Sequence, residues 1–337
     1  MRHLFLYIWR MKTVSIFVPE SSVLQAIADP QYCFSAVNQF LIASGRDPLF
    51  HVELVGLSKD IHLNEGLYTV HTNRLLKDID KTDLVILPAL FGDMEQAIQA
   101  NKDAIPWIME QYNKGAEVAS LCVGAFLLAS TGLLEGKKCS THWGFVDKFR
   151  DMFHQVDVQD GSIVTEENRI YSSGGANSYW NLLLHLVEKY TDRETAVLTS
   201  KYFAIDINRQ SQSPFTLFKG QKAHSDEEVR KAQEYIETNV EEKLTVDELA
   251  EKVAIGRRSL ERRFRKATNN SVLEYIQRVK MEAAKRSFET SRKNINEVMF
   301  DVGYSDTKAF RTTFKKVTGL TPLEYRNKYR KTDLAVS

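Results

Sequence analysis

Two stretches, Leu244-Thr-Val-Asp-Glu-Leu-Ala-Glu-Lys-Val-Ala-Ile-Gly-Arg-Arg-Ser-Leu-Glu-Arg-Arg-Phe264 and Ile295-Asn-Glu-Val-Met-Phe-Asp-Val-Gly-Tyr-Ser-Asp-Thr-Lys-Ala-Phe-Arg-Thr-Thr-Phe314, decide the architecture of this chain. Each joins a short amphipathic segment to a second one through a tight turn holding a glycine, Gly256 or Gly303. Leu260 with Phe264, and Phe310 with Phe314, recur at i and i+4, so each second segment has an apolar inner stripe. The pattern predicts two helix-turn-helix units in tandem, an internal repeat of about 50 residues. A second helix mounted in this way fits the major groove of DNA, and two on one domain can read successive grooves about 34 Å apart.

Opposite the apolar stripe stand Arg258, Glu261 and Arg262 in the first unit and Lys308, Arg311 and Thr312 in the second. Arginine binds guanine O6 and N7 bidentately, and glutamate accepts from cytosine N4. These six are the expected base readers. Arg257, Arg263, Arg265, Lys266, Lys315 and Lys316 lie off that stripe and suit phosphate contacts or solvated charge. Ser271–Phe288 reads as a rigid helix between the units. Five helix starts place a capping residue three before a glutamate: Ser225, Thr245, Ser271, Asn294 and Thr321.

Charge divides along the same line. Residues 1–225 hold 21 Lys and Arg against 25 Asp and Glu, whereas residues 251–331 hold 21 against 9. A polyanionic partner is therefore expected for the C-terminal part alone.

Gly303-Tyr-Ser-Asp-Thr-Lys-Ala-Phe-Arg-Thr-Thr-Phe-Lys-Lys-Val-Thr-Gly-Leu-Thr-Pro-Leu-Glu-Tyr-Arg326 resembles the signature of the AraC/XylS family of bacterial regulators, over roughly residues 226–330. The resemblance implies a seven-helix domain that binds specific double-stranded DNA and most often activates transcription, with RNA polymerase as the partner of an activator.

Before residue 210, strand-like and helix-like segments alternate, the pattern of a parallel sheet flanked by helices in a flavodoxin-like α/β fold. Strands are expected at Thr13–Val18, Val52–Leu57, Asp83–Leu87, Glu117–Leu121 and Ile170–Ser173. Helices are expected at Ser21–Ala28, Ala36–Ser44, Ile105–Lys114, Val123–Ser130 and Tyr179–Tyr190. The expected domains are 13–210, a sensing and dimerisation domain, and 226–331, a DNA-binding domain. The polar stretch 211–225 is read as a linker, and residues 1–12 as an extension outside the fold, with Met11 an alternative start.

Ser120-Leu-Cys-Val-Gly124, between a strand and a helix, has the shape of a nucleophile elbow. A helix N-terminus can lower a thiol pKa there. His142 is the candidate base for Cys122, and Glu20, just after the first strand, can approach the elbow. The structural alternatives are plain: a small buried cysteine, a packed histidine beside Trp143, and a helix-start charge before Ser21 and Ser22.

Cys122-Val-Gly-Ala-Phe-Leu-Leu-Ala-Ser-Thr-Gly-Leu-Leu-Glu-Gly and Ser140-Thr-His-Trp143 resemble the class I glutamine amidotransferase-like superfamily. They are closest to the PfpI-type branch that forms the N-terminal half of GlxA-like AraC regulators. Ser172-Ser-Gly-Gly175 and the Arg209…Gln212-Ser-Pro-Phe215 tail resemble the same branch. Two departures weigh against catalysis. Val123 stands where PfpI-type proteases place a histidine, and the only His-x-Glu, His51-Val-Glu53, precedes the cysteine. A pocket at Glu20, Cys122 and His142 that binds a small molecule is therefore expected rather than an enzyme. A cysteine-dependent amidase tethered to DNA, or a sensor in which oxidation of Cys122 is the signal, are the alternatives.

The three cysteines, Cys33, Cys122 and Cys139, show no CxxC spacing, so neither a disulfide framework nor a metal site is indicated, and no cofactor is expected. No apolar run reaches the ~20 residues of a membrane span, and the six apolar residues after His3 are too few for a signal peptide. The expectation is a cytoplasmic homodimeric regulator.

Overall fold

The computed structural model describes residues 11–209, 211–222 and 224–329. The described residues divide into two compact units, with the boundary between Gln212 and Ser213. The first unit contains β1 (Lys12–Phe17), α1 (Leu24–Ala43), β2 (Phe50–Gly56), β3 (Asp60–Leu63), β4 (Tyr68–His71), β5 (Arg74–Leu75) and β6 (Leu84–Leu87). There follow α2 (Met94–Ala100), α3 (Ile105–Asn113), β7 (Glu117–Ser120), α4 (Ala125–Ser130), β8 (Lys138–Cys139), α5 (Val146–Met152) and β9 (Asp157–Val158). The unit closes with β10 (Val164–Glu167), β11 (Ile170–Ser173), α6 (Tyr179–Tyr190) and α7 (Arg193–Tyr202).

Seven strands form one sheet in the order β10-β11-β7-β6-β1-β2-β5, parallel except for the β10–β11 hairpin. β6, Leu-Val-Ile-Leu, and β11, Ile-Tyr-Ser-Ser, are buried at every residue. Helices cover both faces of such a sheet, so the central strand β6 reads as an unbroken apolar run instead of an alternating one. Leu87 and Ser120 are in register, so β6 and β7 end side by side. That edge carries the elbow.

The two helices expected at Ser21–Ala28 and Ala36–Ser44 are one helix, α1, with Pro30 inside it. Proline removes one intrahelical bond and tends to bend a helix, but eight buried residues along α1, Pro30 among them, hold it on the sheet. The hairpin β3–β4 and helices α2, α5 and α7 are additions to the expected set. Lys12 opens β1, and Met1–Arg10 lie outside the described residues.

The second unit holds seven helices among its described residues. They are α8 (Glu227–Thr238), α9 (Val246–Lys252), α10 (Arg257–Thr268), α11 (Val272–Thr290), α12 (Ile295–Asp301), α13 (Thr307–Thr318) and α14 (Pro322–Tyr329). Two separate cores form around α11. One gathers Val229, Ile236, Leu249, Leu260, Phe264 and Tyr275, the other Phe288, Val298, Met299, Phe310, Phe314 and Tyr325. Reciprocal caps close on Thr245, Ser271 and Asn294, and Thr321 exchanges the same bonds with Glu324. The start of α8 differs by one residue. Asp226, not Ser225, is the cap, and its carboxylate accepts from Val229 N–H, while Glu228 turns to Arg263.

Within the segment read as a linker, Ser211 pairs with Ser162 and Gln212 bonds to Gly161, both in the first unit. Thr216 O accepts from Lys285 Nζ, Phe218 N–H donates to Glu282 and Lys222 bridges to Glu237, all in the second.

Candidate functional site

β7 ends at Ser120, and Cys122 then turns into the left-handed region (φ 55°) before α4 begins. A non-glycine residue there costs about 1–2 kcal/mol and persists only where neighbours hold it. Three contacts do so. Cys122 N–H donates to Ser173 Oγ (3.1 Å), Thr141 Oγ1 donates to Cys122 O (3.2 Å), and Gly124 N–H closes the turn on Leu121 O (2.8 Å). Gly124 is required by contact. A β-carbon on it would lie 2.5 Å from the carbonyl oxygens of Leu87 and Pro88 at the end of β6.

Cys122 is buried. Burial pushes its thiol above the ordinary range, and the backbone N–H groups of Ala176 and Val123 pull the other way without reversing it. The helix-start effect expected at this elbow is thus outweighed by desolvation. Burial pushes Cys139 up to about 12 and Cys33 higher still, as suits structural thiols.

His142 caps the short turn Trp143–Phe145, and its Nδ1 accepts the Gly144 N–H (3.0 Å). In the neutral ring that assignment leaves the proton on Nε2. Burial lowers the His142 pKa and so favours the neutral ring. The ring lies directly against Gly175, where a β-carbon would stand 1.9 Å from Cδ2. Cys122 and His142 therefore share one border, Gly175–Ala176. Among the described residues, however, no hydrogen bond joins them, and His142 has no carboxylate partner.

Glu20 is placed differently. Asn101, fully buried, fixes its backbone from both sides through Oδ1 (2.8 Å) and Nδ2 (2.9 Å). The Glu20 side chain is exposed. β1 lies two strands from β7, about 10 Å across the sheet. No bond from the Glu20 carboxylate to Cys122 or His142 exists among the described residues.

The structure adds residues to this site. Asp29 on α1 accepts from Tyr179 Oη (2.6 Å) and Trp180 Nε1 (3.0 Å) on α6. Burial, then Asp29, and then Cys122 itself raise the Tyr179 hydroxyl pKa, which puts all three groups in one electrostatic neighbourhood. Gln212, 1% exposed, donates from Nε2 to Thr141 O (2.9 Å) and Ser162 O (3.3 Å), and its Oε1 accepts Gly175 N–H (3.1 Å). It thereby ties together the two segments that carry His142 and Ala176. The sequence signals Gln212, 90 residues after the elbow, only through the Arg209…Gln212-Ser-Pro-Phe215 tail that resembles the PfpI-type branch.

In the second unit, Arg258, Glu261, Arg262, Lys308, Arg311 and Thr312 are all exposed on α10 and α13. Glu261 is already engaged by Arg257 (3.2 Å), which also reaches Asp247 (2.8 Å). Arg263 faces inward, onto Asp226 through two bonds (2.6 and 2.8 Å) and onto Glu228. It is a brace between α8 and α10 and not a phosphate contact, because that fork is filled by carboxylates. The first turn also differs from expectation. The left-handed residue is Ala254 (φ 54°), matching Gly303 (φ 70°), whereas Gly256 is extended and caps α10.

Residues 249–328 match a helix-turn-helix domain family, and residues 46–189 match the DJ-1/PfpI family. The HTH-type transcriptional regulator ArgR of Pseudomonas aeruginosa is 28% identical over 243 residues, 72% of this chain and 74% of its own. The regulator GbdR of the same organism is 26% identical over 67% of this chain, which spans 61% of that relative. A crystal structure of a candidate transcriptional regulator from Vibrio parahaemolyticus, 20% identical, is similar in fold with a TM-score of 0.52, over 57% of this chain and 99% of that one. An α/β unit of the DJ-1/PfpI type followed by an AraC-type helix-turn-helix unit defines a DNA-binding transcription regulator. The chain carries both of these domains, and its relatives are AraC-family regulators.

Proposed function

We propose that this regulator senses a small molecule at the border shared by Cys122 and His142, and that Gln212 transmits its presence to the DNA-binding unit. Gln212 carries the reading. It is the last residue of the first unit, Ser213 opens the second, and its side chain holds Thr141 and Gly175. A ligand that displaces either segment displaces the residue at which the chain passes to the second unit.

The site is non-enzymatic in this reading. A cysteine hydrolase needs a base to make the thiolate and a group to orient that base. Here the thiol pKa is raised, the His142 acceptor nitrogen is occupied by Gly144 N–H, and Glu20 faces solvent. The same burial disfavours oxidation of Cys122 as the signal. The regulator acts as a homodimer and an activator that contacts RNA polymerase. The exposed Tyr32, Leu198 and Tyr202 give its first unit an apolar face of the kind a second copy covers.

Selection of bound fragments from sheared genomic DNA, with an Arg258→Ala/Arg262→Ala/Arg311→Ala protein as control, tests the readout. A shared motif lost in the control supports it. Arg262→Ala alone is expected to weaken specific binding by about 1–3 kcal/mol and to relax preference at one position. A loss equal across all sequences would reduce Arg262 to a phosphate contact.

A further inference from the structure

The two cores of the second unit share little beyond α11 and the side chain of Val240, which packs against both. Their relative orientation decides where α10 and α13 point. Lys280, in the middle of α11, is only 5% exposed. Its ammonium donates to Val240 O (2.6 Å), Glu242 O (2.8 Å) and Val302 O (2.9 Å). An ammonium has three donors, and all three are used.

The partners come from both halves. Val240 and Glu242 lie in the loop between α8 and α9, in the first helix-turn-helix half. Val302 ends α12, the first helix of the second half, just before the turn into α13. Burial pulls the Lys280 pKa down to about 8, against Glu241 and Glu242, so the ammonium remains the main form at pH 7. An apolar side chain of the same length fills the space but leaves three carbonyls without donors.

We propose that Lys280 is the residue that sets operator spacing. It pins the two halves so that α10 and α13 meet DNA at one fixed separation and rotation. The proposal rests on the DNA-binding reading. It assigns Lys280 no contact with DNA: the residue acts by positioning the two helices that make it.

The test uses the full-length chain and a site selected from random duplex DNA by the wild-type protein. Variants of that site carry one or two base pairs inserted between the two contacted segments. One inserted pair shifts the second segment by about 3.4 Å and turns it by roughly 35°. Wild-type affinity is expected to fall at least ~10-fold on a one-pair insertion, as each well-made readout contact is worth roughly that much. With Lys280→Met, the difference between the native and inserted sites is expected to shrink below ~3-fold, and binding to the native site to weaken. Lys280→Arg, which keeps donors, is expected to restore part of the discrimination.

A folded Lys280→Met protein that keeps wild-type discrimination overturns the proposal. So does one whose binding weakens equally at every spacing. If thermal melting shows that Lys280→Met does not fold, the comparison is read in Lys280→Gln, which retains two donors. Failure of the wild-type protein to select any site would instead remove the DNA-binding reading, and the proposal with it.

Discussion

Replacing Gln212 by alanine isolates the link on which the proposed sensing mechanism depends. The side chain makes two short hydrogen bonds, at 2.9 Å to Thr141 O and 3.1 Å from Gly175 N–H, and a longer one at 3.3 Å to Ser162 O. A buried bond of this kind contributes about 1 kcal/mol net, and a buried partner left unsatisfied costs about 1–3 kcal/mol. Water can reach part of the vacated space, so the full sum is not expected, and a loss of about 2–4 kcal/mol in local stability follows. Each 1.4 kcal/mol is tenfold. Opening of the Thr141–Gly175 junction should therefore become roughly 30- to 700-fold more frequent. Native-state hydrogen exchange reads this directly, because Gly175 N–H loses its acceptor. In the same variant, DNA affinity should no longer respond to any compound that shifts the wild-type protein. Exchange at Gly175 that changes less than ~3-fold would refute the reasoning, since Gln212 would then contribute under about 1 kcal/mol. Faster exchange with an intact response to effector would refute the transmission role alone.

Two further outcomes are expected. Cys122, with its thiol pKa raised by burial, should react with iodoacetamide at pH 7.5 at least ~10-fold more slowly than a free thiol of pKa about 8.5. The rate should climb as pH passes above that reference value, and His142→Ala should leave it unchanged; rapid alkylation at neutral pH would reinstate the hydrolase reading. Asp226 is held below the usual carboxylate range chiefly by Arg263, so the pair contributes stability above the unfolded carboxyl pKa and loses it as pH falls through the lower folded value. Arg263→Ala should lower the stability of the second unit at pH 7 and flatten the acid side of its pH profile; denaturant titrations at pH 3 and pH 7 that shift by the same amount would contradict this.

The second unit was the more legible in sequence because local rules govern it. A cap satisfies the first free N–H groups of its own helix, so Thr245, Ser271 and Asn294 announce the starts of α9, α11 and α12 within four residues of sequence. Where a non-local partner competes, the local rule slips. Arg263 lies 35 residues from Glu228 and draws it out of the expected capping box, and Asp226 takes over the cap. Ala254 shows a second limit. Glycine is the usual residue at a left-handed position, so Gly256 drew the expectation, yet Ile255 N–H bonds Ala250 O and holds Ala254 in that conformation instead. Short apolar runs gave the sheet strands, but not the hairpin β3–β4, whose Asp60, His62, Tyr68, Thr69 and His71 are exposed and carry little apolar signal.

The first unit shows why a motif locates a site without assigning its chemistry. Ser120-Leu-Cys-Val-Gly124 specifies the backbone of the elbow, since the positive φ at Cys122 and the clearance at Gly124 are properties of that segment and of β6 beside it. The reactivity of the thiol belongs to groups far away in sequence. Ser173 takes the Cys122 N–H, Gly175 accommodates the His142 ring, and Gln212 fastens the segments that carry both. The same surroundings that hold the elbow in its strained form exclude water from the sulfur, and this raises the pKa that catalysis would need lowered. The strained backbone at Cys122 and the raised pKa of its thiol therefore go with the same burial. In the proposed sensing mechanism, a small molecule that displaces the Thr141 or Gly175 segment also displaces Gln212, the last residue of the first unit.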